Sequence, residues 1–262
     1  MDRPHLLLTN DDGIDSVGFR ALYDELSEFA DVTAVAPAGD QSAVGRAMST
    51  QVAVTEHELG YAIEGTPADC TVAGLESLCP DVDLVVSGIN KGANLGAYVL
   101  GRSGTVSAAV EAAFFDVPAI AVSLYVPVTG STDWREQASD PADYRVAARA
   151  ASFLVERARG AGAFEQAEYL NVNAPMPGGG PVEMEITTPS TLYDMTADRD
   201  GDCIRLTDRV WERMREGDIP DPEGTDRRAI VEGRVSVSPL TAPHTTEHRD
   251  SLESLADEFD EF

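Results

Sequence analysis

Four consecutive residues, Asn10-Asp11-Asp12-Gly13, carry the strongest chemical signal in this 262-residue chain. Asp11 and Asp12 set two carboxylates side by side directly after the apolar run Leu6-Leu7-Leu8. Neighbouring carboxylates repel unless a cation sits between them or one of them carries a proton. Hard oxygen donors in such a place suit Mg²⁺, Mn²⁺ or Ca²⁺. The plainer explanation is an Asx-turn, in which Asp and Gly only shape a loop. A second stretch, Ser87-Gly88-Ile89-Asn90-Lys91-Gly92-Ala93-Asn94-Leu95-Gly96, offers a hydroxyl, amide oxygens and glycines that let backbone approach a ligand closely. Asp40, Gln41, Ser42 and Gly45 form a third polar group. Ser103-Gly104-Thr105 opens an Ala-rich run, where free N–H groups and the positive helix end make an anion site. Simple capping uses the same groups.

These residues need elements to hold them. Residues 5–9, 32–36, 82–86, 118–124 and 169–172 are short apolar runs bounded by polar or Pro/Gly residues, and read as buried strands. Between them, residues 17–30, 105–115 and 141–159 read as helices, and Thr66-Pro67 starts another that runs to about Leu78. Strands alternating with helices predict a three-layer αβα, Rossmann-like core around a mainly parallel sheet. The loops after Thr9, Ala36 and Val86 then meet at one sheet edge, where open parallel sheets bind ligands. A turn-only explanation would have to hold three times over. After about residue 181 the chain becomes loop-rich, and the short runs 182–187 and 231–237 suggest β-hairpins appended to the sheet. The expected organisation is a catalytic core over residues 1–180 and an oligomerisation extension over 181–262, within one structural unit. Leu252, Leu255, Ala256 and Phe259 fall at helical spacing in the tail.

Composition narrows the function. Lys and Arg number 19 against 46 Asp and Glu, a formal net charge of −27, and Lys91 is the sole lysine. Nucleic-acid binding by phosphate neutralisation needs a basic surface and is not expected. Acidic residues spread along the whole chain fit adaptation to molar salt, which shortens the Debye length to ~3 Å and weakens self-repulsion. No apolar run approaches the ~20 residues that span a bilayer, and the first residues show no signal-peptide pattern, so a cytoplasmic protein is expected. Cys70, Cys79 and Cys203 match no zinc spacing and read as small buried residues. Of the four histidines, His244 and His248 are the closest pair and read as surface. No G-x-G-x-x-G, P-loop or G-x-S-x-G motif is present.

The segments LLLTNDDG, APAGDQSAVG, GTPADC, VVSGINKGANLG, SGTVSAAVEA, LNVNAP and EGTDRRAIVEGRVSVSPL follow one another between Leu6 and Leu240. In that order they resemble the SurE survival-protein family. The resemblance implies 5′/3′-nucleotidase activity on nucleoside monophosphates, with a divalent metal held by Asp11, Asp12, Ser42 and Asn90. It further implies an αβα core with a projecting β-hairpin, and homodimers or homotetramers built partly by exchange of C-terminal elements. After Leu240 the chain departs from the family pattern, which bears on that exchange and not on the site. The expected chemistry is metal-assisted hydrolysis, with Asp11 and Asp12 catalytic and Asn94, Ser103, Gly104 and Thr105 binding phosphate. The attacking water is either metal-bound or oriented by an Asp. Two alternatives stay open: an aspartyl-phosphate phosphatase and a nucleotide-sensing module without turnover.

Overall fold

The structure is a computed structural model that describes residues 3–127, 137–178 and 180–242. Its centre is a nine-stranded sheet. The strands are β1 (His5–Thr9), β2 (Asp31–Pro37), β3 (Val54–His57), β4 (Gly60–Ile63), β5 (Leu84–Lys91), β6 (Ala119–Tyr125), β7 (Tyr169–Pro175), β8 (Met184–Ile186) and β11 (Val235–Leu240), in the order β3-β4-β2-β1-β5-β6-β7-β11-β8. From β4 to β7 every pairing is parallel. β3 runs antiparallel to β4, and β11 antiparallel to β7. Sequence order reverses between β1 and β5, which makes the gap between their carboxyl ends the topological switch point, the usual ligand position in such sheets.

Side chains alternate across the strands, and this alternation builds the layers. Leu6 and Leu8 of β1 face one core with Phe19, Leu22 and Leu26 of α1 (Val17–Ser27) and the alanine-rich inner face of α5 (Arg145–Arg157). Leu7 faces the opposite core with Cys70 of α2 (Pro67–Ala73) and Val106, Ala109 and Ala112 of α4 (Gly104–Phe114). Each fully buried leucine contributes roughly 1.5–3 kcal/mol. α2 starts as its sequence requires: Thr66 Oγ1 accepts the Asp69 N–H, and the Asp69 carboxylate accepts the Thr66 N–H. A π-turn over Gly74–Leu78 continues it.

Several expectations need correction. β5 does not stop at Val86 but runs to Lys91, because residues 87–91 pair with β6 across a register shift between Ser87 and Asn90. Gly88 makes that pairing fit, since a Cβ there would lie 2.3 Å from the Val122 carbonyl oxygen. The runs at 182–187 and 231–237 do not form hairpins. β8 and β11 pair in parallel and extend the main sheet, and Val231 ends the helix α7 (Asp226–Val231). The projecting hairpin is built instead by β9 (Met195–Asp200) and β10 (Cys203–Asp208). It leads into α6 (Val210–Glu216), which packs with α7 and Leu95 in a small separate cluster. Cys70 and Cys79 are buried, but Cys203 is exposed on that hairpin. The tail positions 252, 255, 256 and 259, together with His244 and His248, lie outside the described residues. Among the described residues no helix is long and apolar enough to cross a membrane.

Candidate active site

At the exit of β1 the buried side chain of Asn10 closes the loop. Its Nδ2 donates to the Gly13 carbonyl (2.8 Å) and to Ser16 Oγ (3.0 Å), so Asp11 and Asp12 sit in a turn fixed from below. Gly13, at φ +96°, lies against the backbone of Gly39, where a Cβ would come within 3.2 Å. The Gln41 N–H donates to the Asp11 carbonyl at 2.7 Å, which ties the exit of β2 to the exit of β1. From β5 the Lys91 N–H donates to Asp12 Oδ2 at 2.8 Å. Three strand exits therefore meet at the Asp pair.

A fourth element joins them. Thr105 Oγ1 donates to Asp11 Oδ1 at 2.5 Å, and a backbone N–H of Thr105 also reaches the Asp11 carboxylate. Gly104 is flush against Asp11: a Cβ at residue 104 would lie 2.7 Å from the Asp11 Cβ. The first turn of α4 thus holds a carboxylate of the protein itself, which the positive helix end stabilises. Ser103 caps the helix, its Oγ accepting the Val106 N–H at 3.1 Å. The expected roles divide accordingly. Thr105 is engaged with Asp11, and Ser103 and Gly104 form the rim of the same turn.

Ser42 is exposed, and both its N–H (2.8 Å) and its hydroxyl (2.6 Å) donate to Asp40 Oδ1. A hydroxyl that gives its proton to a carboxylate keeps its lone pairs for a cation. Asn90 donates from Nδ2 to the Gly92 carbonyl at 2.6 Å, which leaves its amide oxygen as the metal-type donor. Asn94 is spent on bonds to β6 and β7. Its N–H donates to Asn173 Oδ1 (2.8 Å), its Nδ2 to Ser123 Oγ (2.9 Å), and its carbonyl accepts from Asn171 (2.9 Å) and Asn173 (3.1 Å). It is 5% exposed, so its geometry is that of a brace for the loop.

The electrostatics of the pair are unfavourable as they stand. Asp11 is 3% exposed, and burial raises its carboxyl above the ordinary range despite the Thr105 contacts. Asp12 is pushed up to about 7, by burial first and then by the charge of Asp11, with Asp40 adding to both. A divalent cation answers this excess of negative charge. The donors at hand are carboxylate, hydroxyl and amide oxygens, which fit a hard ion. Among the described residues, Asn10 Oδ1 and Ser87 Oγ are buried oxygens with no hydrogen-bond partner. Among the described residues no group of three or more His, Cys, Asp or Glu is arranged for a metal. A site here therefore depends on Ser42 and Asn90 beside the two carboxylates.

Sequence reasoning missed three contributors and named a fourth, Asp40, only as part of a polar group. Asp40 orients Ser42, and the D-x-S spacing of an Asx-turn was the available signal. Asn171 and Asn173 share one face of β7, as an N-x-N pair in a strand must. Asp226 accepts the Gly96 N–H at 2.7 Å across 130 residues of sequence, for which no local signal exists.

Comparison with known proteins finds relatives along nearly the whole chain. The family model described as survival protein SurE matches residues 6–194. The chain is 63% identical over 260 residues to the "5′-nucleotidase SurE" of Haloarcula marismortui, covering 99% of this chain and 97% of that protein. It is 63% identical over 255 residues to the protein of the same name from Natronomonas pharaonis, covering 97% and 99%. Among solved structures, the SurE protein of Aquifex aeolicus superposes with a TM-score of 0.75 at 29% identity, covering 99% of this chain and 100% of that one.

Proposed function

The chain belongs to the survival protein SurE family, and from that premise we propose that it is a metal-dependent 5′-nucleotidase. It hydrolyses nucleoside monophosphates to nucleoside and phosphate. The observation that carries the reading is the buried pair Asp11–Asp12 at the switch point, one carboxylate held by the first turn of α4 and the other by β5. Asp11, Asp12, Ser42 and Asn90 would hold the ion, Mg²⁺ or Mn²⁺. When bound, such an ion offsets charge on the phosphoryl oxygens as the ester breaks.

The protein's own groups do the rest. Thr105 fixes Asp11 and Asp40 fixes Ser42, so neither has to be ordered during the reaction. Ser103 and Gly104 face the phosphoryl group from the rim of α4, with Asn94 keeping the loop opposite them in place. Asp11 is fastened on two sides, whereas Asp12 is held by one backbone N–H. Asp12 is accordingly the better group to orient the attacking water, whose oxygen bonds to phosphorus as the nucleoside oxygen leaves and takes a proton. The reading extends to a cytoplasmic homodimer or homotetramer adapted to high salt.

The test is a phosphate-release panel over nucleoside monophosphates in molar KCl, with Mg²⁺, Mn²⁺ and a chelator. Release that needs the metal is expected. Release indifferent to chelation, or trapping of phosphate on an Asp, would overturn the mechanism, and binding without release would leave a sensing module.

A further inference from the structure

The loop that carries Ser42 has almost no core of its own. Between Gln41 and Thr50 only Gly45 is buried, and every residue from Arg46 to Thr50 is exposed. A segment with so little apolar burial opens easily, so polar contacts must hold Ser42 in place. At the near end the Gln41 N–H donates to the Asp11 carbonyl (2.7 Å). At the far end the Ala47 carbonyl accepts from Thr66 Oγ1 (2.7 Å), and the Ser49 N–H donates to Asp69 Oδ1 (2.7 Å). Between these ends Arg46 Nε donates to Glu111 Oε1 at 2.5 Å. The Arg46 guanidinium also lies over the Phe114 ring, 4.6 Å from its centre.

Glu111 and Phe114 belong to α4, the helix whose first turn holds Asp11 through Thr105. Thr105 and Glu111 are six residues apart, about 9 Å along the axis at ~1.5 Å per residue. One rigid element therefore grips both a carboxylate of the site and the loop that brings Ser42. The pair also differs from others on this acidic chain. Arg3–Asp31, Arg20–Asp15 and Arg159–Asp83 are exposed on both sides, and molar salt screens such pairs. Glu111 is 8% exposed at its side chain, so its attraction for Arg46 is screened much less. We infer that Arg46 is a positioning residue for the metal: fastened to Glu111, it fixes the loop so that Ser42 reaches the ion together with Asp11. The inference rests on the metal site proposed above and deepens it.

The test is calorimetric titration of the metal-free full chain with Mn²⁺ in molar KCl, on a double-mutant cycle of Ser42→Ala and Arg46→Ala. Arg46→Ala should weaken Mn²⁺ binding about tenfold, the lower end of what residues that orient a metal ligand cost. Once Ser42 is gone, Arg46→Ala should weaken it no further. Arg46→Lys keeps a charge for Glu111 and should recover most of the affinity. Arg46→Ala leaves Glu111 buried without its counter-charge, so Arg46→Met combined with Glu111→Gln removes the tie without that cost and should show the same tenfold loss. Unchanged Mn²⁺ affinity in this pair of changes or in Arg46→Ala, or losses that simply add in the cycle, would overturn the positioning role. A wild type that binds no Mn²⁺, or binds it no more tightly than Ser42→Ala, would overturn the metal site and the role of Arg46 with it.

Discussion

At the scale of single residues the protein concentrates an electrostatic problem at Asp11 and Asp12. Burying two adjacent carboxylates costs free energy in any state without a counter-charge. One helix terminus and one backbone N–H offset part of that cost. Asp11→Asn keeps the shape and removes one charge. Metal affinity should fall and phosphate release should drop by about 100-fold or more, because an ion that is no longer held stops supplying several kcal/mol of charge stabilisation. Folding should survive, and in metal-free buffer it should improve, since the repulsion that helps push Asp12 up to about 7 is gone. Calorimetric Mn²⁺ titration and a thermal melt read both effects. Near-normal metal-dependent turnover in this variant would contradict the assignment of Asp11.

At the scale of elements the site depends on contacts between segments far apart in sequence. Gly104 begins α4, where alanine would be better by up to ~1 kcal/mol on helix propensity alone. Here contact outweighs propensity: the new methyl would stand 2.7 Å from the Asp11 Cβ, an atom bonded directly to the backbone and unable to rotate away. Gly104→Ala should therefore lose most phosphate release with little loss of secondary structure, as kinetics and circular dichroism together would record. Asp226 is the second such joint. Its carboxylate accepts N–H groups from Gly96 (2.7 Å), Ser190 (2.9 Å) and Arg227 (2.8 Å), which locks α7 to the loop behind Asn94. Asp226→Ala leaves these buried donors unmet, at about 1–3 kcal/mol each. Urea denaturation should show a loss of at least ~3 kcal/mol, and a loss below 1 kcal/mol would mean the joint bears little.

For the whole molecule, charge and exposed apolar surface matter most. At −27 the chain repels itself, and that repulsion reaches ~10 Å at 0.1 M salt but only ~3 Å at 1 M. The melting temperature should fall clearly between 1 M and 0.1 M KCl, and an unchanged value would refute adaptation to salt. Ile204 and Leu206 on the hairpin are 64% and 69% exposed, and Ile186 on the edge strand β8 is 67% exposed. Large apolar side chains grouped at projecting or edge positions mark association surfaces. Light scattering at high salt should give at least a dimer, and substituting Ile204 and Leu206 with Ser should shift the equilibrium toward monomer.

The sequence by itself determined what neighbours in the chain decide. The runs at 5–9 and 118–124, the cap at Thr66-Pro67 and the Ala-rich start of α4 depend on periodicity and end signals among residues two to four apart, and these survive without tertiary context. They sufficed to place Asp11 and Asp12 directly after β1 and Ser42 in the loop after β2. Only the tertiary structure decided which group holds which. Thr105 meets Asp11 across 94 residues, and Asn94 is taken up by Asn171 and Asn173 from a strand two places away. The continuation of β5 through Asn90 and the parallel pairing of β8 with β11 were likewise hidden. A strand in a glycine-rich segment, or at the end of a sheet, exists because a partner strand lies at hydrogen-bonding distance, and strand order is set by crossovers that leave no mark on local spacing.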